Sequence, residues 1–252
     1  MNLTALVISD FHGSSHVLSP MEKVIRDISP HLLIFSGDIV KGYARGDEWL
    51  MARDERRTPH VTDEIRAEKE EDEKFYQQFF SFLEELPIPS FIVPGNMDAP
   101  EKRFLRFCLP EVSVHRFQIG TYSPQGSDED VVITGFGGEL TETQDEEIFV
   151  LNYSRSTVID SLDLKAFPDH PFALITHSPP VSPVSKEDGQ EKGSIIVNDL
   201  LDILRPRYLF CGHAHRSPGT HMIGTTRVVN PGALKYGNYA VVKGDAVEFK
   251  RL

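Results

Sequence analysis

Ala5–His12 reads ALVISDFH. An apolar run of β-branched and aliphatic residues continues without polar alternation and then stops at Asp10, with His12 two positions on. Such a run suits a strand buried on both faces. Four others have the same form: LLIFSGD stops at Asp38, SFIVPGN at Asn96, FALITH at His177, and YLFCGHAH at His213 and His215. Between some of them lie helical patterns. Residues 16–29 carry Val17, Met21, Val24, Ile25 and Ile28 on one face, and residues 193–206 form a second amphipathic stretch stopped by Pro206. Alternating strands and helices imply an α/β domain. The last third differs: TTRVVN (225–230), GTHMIG (219–224) and a hairpin around KGDA (243–246) read as antiparallel strands. VSVHRFQIG (112–120) and DVVITGFGG (130–138) also read as strands. The expected fold is mixed α/β, two sheets packed together with helices outside.

Residues 41–86 stand out as an insertion in one domain spanning 1–252. Residues 41–61 look irregular and charged, and a long helix is expected over Thr62–Glu85. Phe75, Phe79, Phe82, Leu83 and Leu86 share a face of that helix. Its first half, DEIRAEKEEDEK, has almost no apolar face and is expected to project into solvent. Trp49, Leu50 and Met51 offer either a lid or a contact between copies of the chain, a homo-oligomer through the insertion.

The 252 residues suffice for a sizeable core, with 40% hydrophobic and 25% charged residues. The net charge of -12 disfavours nucleic acid polymers and anionic membranes as partners. A small anionic substrate remains compatible, because a local metal site reverses the field. Cys108 and Cys211 make no disulfide framework, and no targeting or membrane-spanning stretch is apparent, so a cytoplasmic protein is expected.

In open α/β sheets, ligands bind beyond the carboxyl ends of the strands. Each of the five runs ends there in Asp, Asn or His. Singly, an Asp before a loop is a common turn former and a His after a strand a common satisfied polar group. The ordered conjunction is what points to a metal centre. In an extended chain, residues i and i+2 face the same way, so Asp10 with His12, and His213 with His215, are expected to face one crevice and to suit two adjacent ions. Gly37 and Gly212 allow close backbone approach to it.

The ordered set DFH, GD, GNMD, THSPP and GHAH resembles the calcineurin-like metallophosphoesterase superfamily, and its short length, NPGAL (230–234) and C-terminal hairpin resemble the small single-domain prokaryotic members. The resemblance covers residues 10–215. It implies a four-layer α/β/β/α sandwich. It also implies two divalent transition-metal ions bridged by Asp38, one completed by Asp10, His12 and His215, the other by Asn96, His177 and His213. The nitrogen and oxygen donors admit Mn²⁺ (favoured), Fe, Zn²⁺, Co²⁺ or Ni²⁺. The implied reaction is hydrolysis of a small phosphate ester, diesters favoured, by a metal-bridging hydroxide. Asp38, Asn96 and His213 would act in it, with Asp98 orienting a neighbour of the ligands. Cys211 reads as core, and Gly137 or Gly138 of GFGGEL as candidates to line the pocket.

Met97 departs from the pattern, which places there a histidine that protonates the leaving group. A thioether has no proton to give. Three explanations follow: another donor, such as a metal-bound water or His16; a leaving group that needs no proton; or loss of catalysis. The last makes a non-catalytic, metal-binding scaffold the alternative function, as in a retromer subunit of this fold. A DNA-repair nuclease is disfavoured by the charge and the absence of a basic stripe.

Overall fold

A computed structural model describes residues 3–124, 130–142, 144–167 and 172–252. The chain starts with β1 (Thr4–Ile8), helix α1 (Leu18–Ile28) and β2 (Leu32–Phe35). Helices α2 (Tyr43–Asp54) and α3 (Asp63–Glu84) precede β3 (Ser90–Ile92), and α4 (Glu101–Phe107) follows. Next come β4 (Gly120–Tyr122), β5 (Val131–Phe136) and the short parallel pair β6 (Glu139–Thr141) and β7 (Asn152–Ser154), then α5 (Arg155–Asp160) and β8 (Ala173–Thr176). A two-rung hairpin, β9 (Lys186–Glu187) with β10 (Gln190–Glu191), leads to α6 (Ile195–Leu204) and β11 (Tyr208–Phe210). The chain closes with β12 (Gly219–Ile223), β13 (Thr226–Asn230), β14 (Asn238–Lys243) and β15 (Ala246–Arg251).

The first sheet has the order β15-β14-β1-β2-β3, with β1, β2 and β3 parallel. The second runs β12-β13-β11-β8-β5-β4, parallel at its centre with antiparallel edges. Alternation along each strand sends side chains to two layers. Ala5, Val7, Leu32 and Ile34 meet Ile175, Phe210 and Val229 between the sheets. Leu6, Ile8, Leu33 and Phe35 face α1, α3 and α4 on one outside. Leu174, Leu209 and Cys211 face α6 and Val158 of α5 on the other. Both faces of every central strand are therefore covered, which is why those runs are uniformly apolar. The result is the expected mixed α/β sandwich, with the carboxyl ends of β1, β2, β3, β8 and β11 at a common rim.

Three expectations need correction. Residues 112–120 are mostly not strand: Ser113 makes one bridge to Ile92, and a 3-10 turn, His115–Phe117, follows. Residues 43–54 form a helix rather than irregular chain. Its buried positions are Arg45, Gly46, Glu48 and Ala52, so no apolar period advertises it. The first half of α3 does not stand in solvent either. Thr62 caps it, accepting from the Ile65 amide at 3.2 Å, with Asp63 and Glu64 favourably placed in the first turn. Ile65 and Asp72 are then buried. Glu68 accepts the backbone amides of Ala44 and Arg45 at 2.8 and 3.2 Å, tying α3 to the start of α2. The second half behaves as its pattern predicts: Phe79 packs on Phe11 and Phe35 with ring centroids 5.3 and 4.5 Å apart.

Candidate metal centre

The five strand ends converge. One ligand atom from each of Asp10, His12, Asp38 and His215 lies within 4.8 Å of the other three. His215 Nε2 is 3.1 Å from Asp10 Oδ1, and His12 Nε2 is 3.4 Å from Asp38 Oδ2. On the other side of Asp38, His177 Nε2 sits 3.4 Å from the same Oδ2 and 2.9 Å from Asn96 Oδ1. His213 Nδ1 is 3.2 Å from Asn96 Oδ1. All seven residues expected from the sequence are thus brought together, with Asp38 between two groups.

The route differs from the expected one. The loops are not extended: Asp10, His12, Asp38 and His213 all take left-handed backbone angles, with φ of 57, 45, 65 and 65°. Each such conformation costs a non-glycine residue of order 1 kcal/mol or more and is characteristic of functional sites. The left-handed turn at His213 separates it from His215. His215 joins Asp10 and His12, whereas His213 joins Asn96, its amide 3.3 Å from the Asp10 carboxylate. The turns are held by main-chain bonds between strand ends, Asp10 N to Gly37 O at 2.8 Å and Gly212 N to His177 O at 3.0 Å. A Cβ at Gly212 would overlap Ser9 Oγ and lie 2.8 Å from Asp10 Oδ2. At Gly95 it would overlap the Asp38 carboxylate and amide. Gly95→Ala is therefore expected to cost about 1–3 kcal/mol through overpacking, read as a lowered urea midpoint at unchanged m-value. An unchanged midpoint would contradict this packing.

Ring orientation is fixed from behind. His12 Nδ1 donates to Val40 O at 3.1 Å and His177 Nδ1 to Ser36 O at 2.7 Å. A carbonyl only accepts, so both Nδ1 atoms carry hydrogen and both Nε2 atoms face Asp38; a neutral ring would aim a lone pair there. Two lone pairs against one carboxylate oxygen call for a positive charge between them. Burial disfavours a charged His177, but the adjacent Asp38 outweighs it and lifts the pKa to about 10. Burial takes His12 down to about 4. Burial opposes ionisation of Asp10, yet the facing His215 holds it well below the carboxylate range. A proton on His177 satisfies part of this demand. A divalent cation satisfies all of it, and the oxygen and imidazole donors, with no thiolate, suit a borderline transition metal.

Asp98 holds groups beside the expected ligands, the Tyr76 hydroxyl donating to its Oδ1 at 3.2 Å. Its Oδ2 accepts from the amides of Asp38 at 3.0 Å and Gly95 at 2.7 Å, and Oδ1 from Ile39 at 2.9 Å. It staples the β2 and β3 loops together. Burial and the neighbouring Asp38 push its pKa up, to about 7, against the pull of those amides. Met97 N donates to Asp38 Oδ1 at 2.8 Å, completing the staple.

The centre opens into a cleft of about 890 Å³ and an adjoining recess of about 480 Å³. Tyr43, Trp49 and Leu50 of α2 form one wall of the cleft, so this part of the insertion is a wall. Glu139 lines it, whereas Gly137 and Gly138 lie beneath, pressed on Pro94 and Tyr153. His16 is exposed and lines neither space. The hairpin β9–β10 roofs the recess, with Glu187 accepting from the His215 amide at 3.1 Å.

Sequence reading missed the buried ionic group behind this wall. Asp72 Oδ2 accepts from Arg45 at 2.8 Å and Arg103 at 2.9 Å, all three side chains being at most 5% exposed. Arg45 also donates to Met97 O at 3.0 Å, and Arg103 to Ala99 O. These residues lie 27 and 31 positions apart, and no spacing rule links them.

One solved structure shares 30% identity with the chain, covering 100% of it and 99% of its own length, with a TM-score of 0.85. The protein TT1561 of Thermus thermophilus is similar at 22% identity, with 100% and 99% covered and a TM-score of 0.72. A dimetal phosphatase from Danio rerio shares the fold at 12% identity, with 99% and 96% covered and a TM-score of 0.59. No curated protein matches the chain by sequence. Residues 1–252 match the family described as metallophosphoesterase, calcineurin superfamily.

Proposed function

We propose that this chain, which belongs to the calcineurin superfamily of metallophosphoesterases, hydrolyses phosphodiesters at a pair of divalent metal ions, Mn²⁺ favoured. The observation that carries this reading is the two imidazole nitrogens, His12 Nε2 and His177 Nε2, aimed at one Asp38 oxygen, each at 3.4 Å. Asp10, His12 and His215 on one side and Asn96, His177 and His213 on the other would hold the ions, with Asp38 common to both groups. Such ions supply Lewis acidity, activating water and offsetting charge on the phosphoryl oxygens.

The chain's own part is positioning. The carbonyls of Ser36 and Val40 hold His177 and His12 in one tautomer. The Met97 amide and the Asp98 staple fix the Asp38 carboxylate between the two groups. Preference for a diester is supported by the cleft's charge. Its lining residues include two cationic side chains, Arg53 and Lys192, and five acidic ones, Asp47, Glu139, Asp145, Glu146 and Glu191. A singly charged diester is repelled less there than a doubly charged monoester. We read residues 1–252 as one domain carrying the 41–86 insertion. The two buried free cysteines suit a reducing, cytoplasmic setting, and no helix among the described residues is long and apolar enough to cross a membrane.

The test is a screen of metal-reconstituted protein over phosphomonoesters, cyclic nucleotides and aryl diesters, with metal content measured on the same sample. Turnover confined to monoesters overturns the diester preference. Two bound ions without turnover would favour the scaffold reading, which Met97 motivates. Met97→His is expected to raise turnover of a diester with a poor leaving group by about tenfold, the low end for an added general acid. Equal rates for the two proteins on that substrate would show that no proton donor is needed at this position.

A further inference from the structure

The leaving oxygen of an alkyl ester departs as a costly alkoxide unless a proton reaches it. Met97 cannot supply one. Five residues line both the cleft and the recess: Tyr43, Asn96, Met97, Lys192 and His213. Asn96 is an amide, and His213 Nδ1 is engaged with it at 3.2 Å. Tyr43 and Lys192 remain as proton-bearing groups.

They differ in how they are held. Lys192 follows the β9–β10 hairpin on an exposed, flexible stem. Tyr43 opens α2, where Glu68 accepts the next two amides at 2.8 and 3.2 Å and Arg45 grips the Met97 carbonyl at 3.0 Å. The start of the helix that carries Tyr43 is thus tied to the loop that carries residue 97, and the Tyr43 ring centroid lies 5.9 Å from that of His12. Its hydroxyl makes no hydrogen bond to any described residue, and the side chain is 48% exposed, which leaves the proton available and solvent access open.

Resting on the phosphoesterase reading above, we infer that Tyr43 is the proton donor to the leaving oxygen, a catalytic role for the insertion at the place where Met97 has none. As the bond from phosphorus to the leaving oxygen breaks, its electron pair stays on that oxygen and the Tyr43 Oη proton joins it, releasing the alcohol. The attacking water forms the new phosphorus–oxygen bond and gives up a proton to solvent. The phenolate takes a proton back from solvent, so no further reactant is consumed.

Tyr43→Phe and Lys192→Met are compared with the unaltered Mn²⁺-loaded protein on a series of methyl phosphodiesters with aryl and alkyl leaving groups. Inorganic phosphate affinity is read in parallel from the fluorescence of Trp49, the single tryptophan, which lines the cleft. For Tyr43→Phe the ratio of alkyl to aryl rates is expected to fall about 10²-fold. The dependence of rate on leaving-group pKa should steepen, and phosphate affinity should stay within about twofold, because a donor that acts only in the transition state adds little to ground-state binding. A ratio that does not change, a phosphate affinity weakened more than about tenfold, or the same loss of ratio in Lys192→Met in place of Tyr43→Phe overturns the assignment. If the unaltered protein turns over no member of the series, the phosphoesterase reading itself fails, an outcome separate from any property of Tyr43.

Discussion

Asp38→Asn is expected to lower the hydrolysis of an activated aryl phosphodiester by roughly 10³-fold or more and to release metal. Loss of a mere outer partner of a metal ligand typically costs 10–100-fold. Asp38 is more than that: the same oxygen lies 3.4 Å from His12 Nε2 and from His177 Nε2, and its other oxygen accepts the Met97 amide at 2.8 Å. Burial opposes its ionisation, but His177 and His12 hold its pKa down at about 2, so the residue carries its charge across the neutral range. Asparagine keeps the shape and removes the negative charge that lies 3.4 Å from both His12 Nε2 and His177 Nε2. Elemental analysis should show fewer ions per chain alongside the lost turnover. A variant retaining two ions and a tenth of the activity would remove Asp38 from the centre of the site.

Asp72→Asn is expected to destabilise the protein by about 3–5 kcal/mol, the cost of breaking a buried ion pair from one side. It would leave the guanidinium groups of Arg45 and Arg103, 5 and 4% exposed, without the carboxylate that both address. Glu68, 3.6 Å from Arg45 Nε, compensates only one of them. For a chain of this length the loss corresponds to roughly 10 °C in Tm or somewhat more, read by circular dichroism. Because Arg45 and Arg103 also hold the carbonyls of Met97 and Ala99, turnover should fall below the unfolding range as well. A shift of under about 2 °C would mean that those main-chain bonds hold the two cations unaided.

How far the sequence can be read depends on where each interaction lies along the chain. The strands announce themselves because each is covered on both faces, and the α3 core face because Phe75, Phe79 and Phe82 recur at helical spacing. α2 does not: what it buries is charged or small, and its partners are Asp72, Glu68 and the Met97 loop rather than an apolar layer. The seven polar residues at the strand ends could be named from their order alone. The reason first given for their convergence, alternation along an extended chain, fails at Asp10, His12, Asp38 and His213, where the backbone turns left-handed.

The amino-acid sequence by itself determined the family, the layered architecture and the identities of the candidate ligands, because periodic burial and short ordered motifs are local properties of a chain. The tertiary structure alone decided that left-handed turns rather than strand alternation bring the ligand residues together, that Asp98 staples two loops by their amides, and that Tyr43 stands over the site on a helix locked by Asp72. Those facts depend on left-handed turns and on contacts between residues far apart in sequence, whose energies come from burial and directed hydrogen bonds that no local pattern encodes.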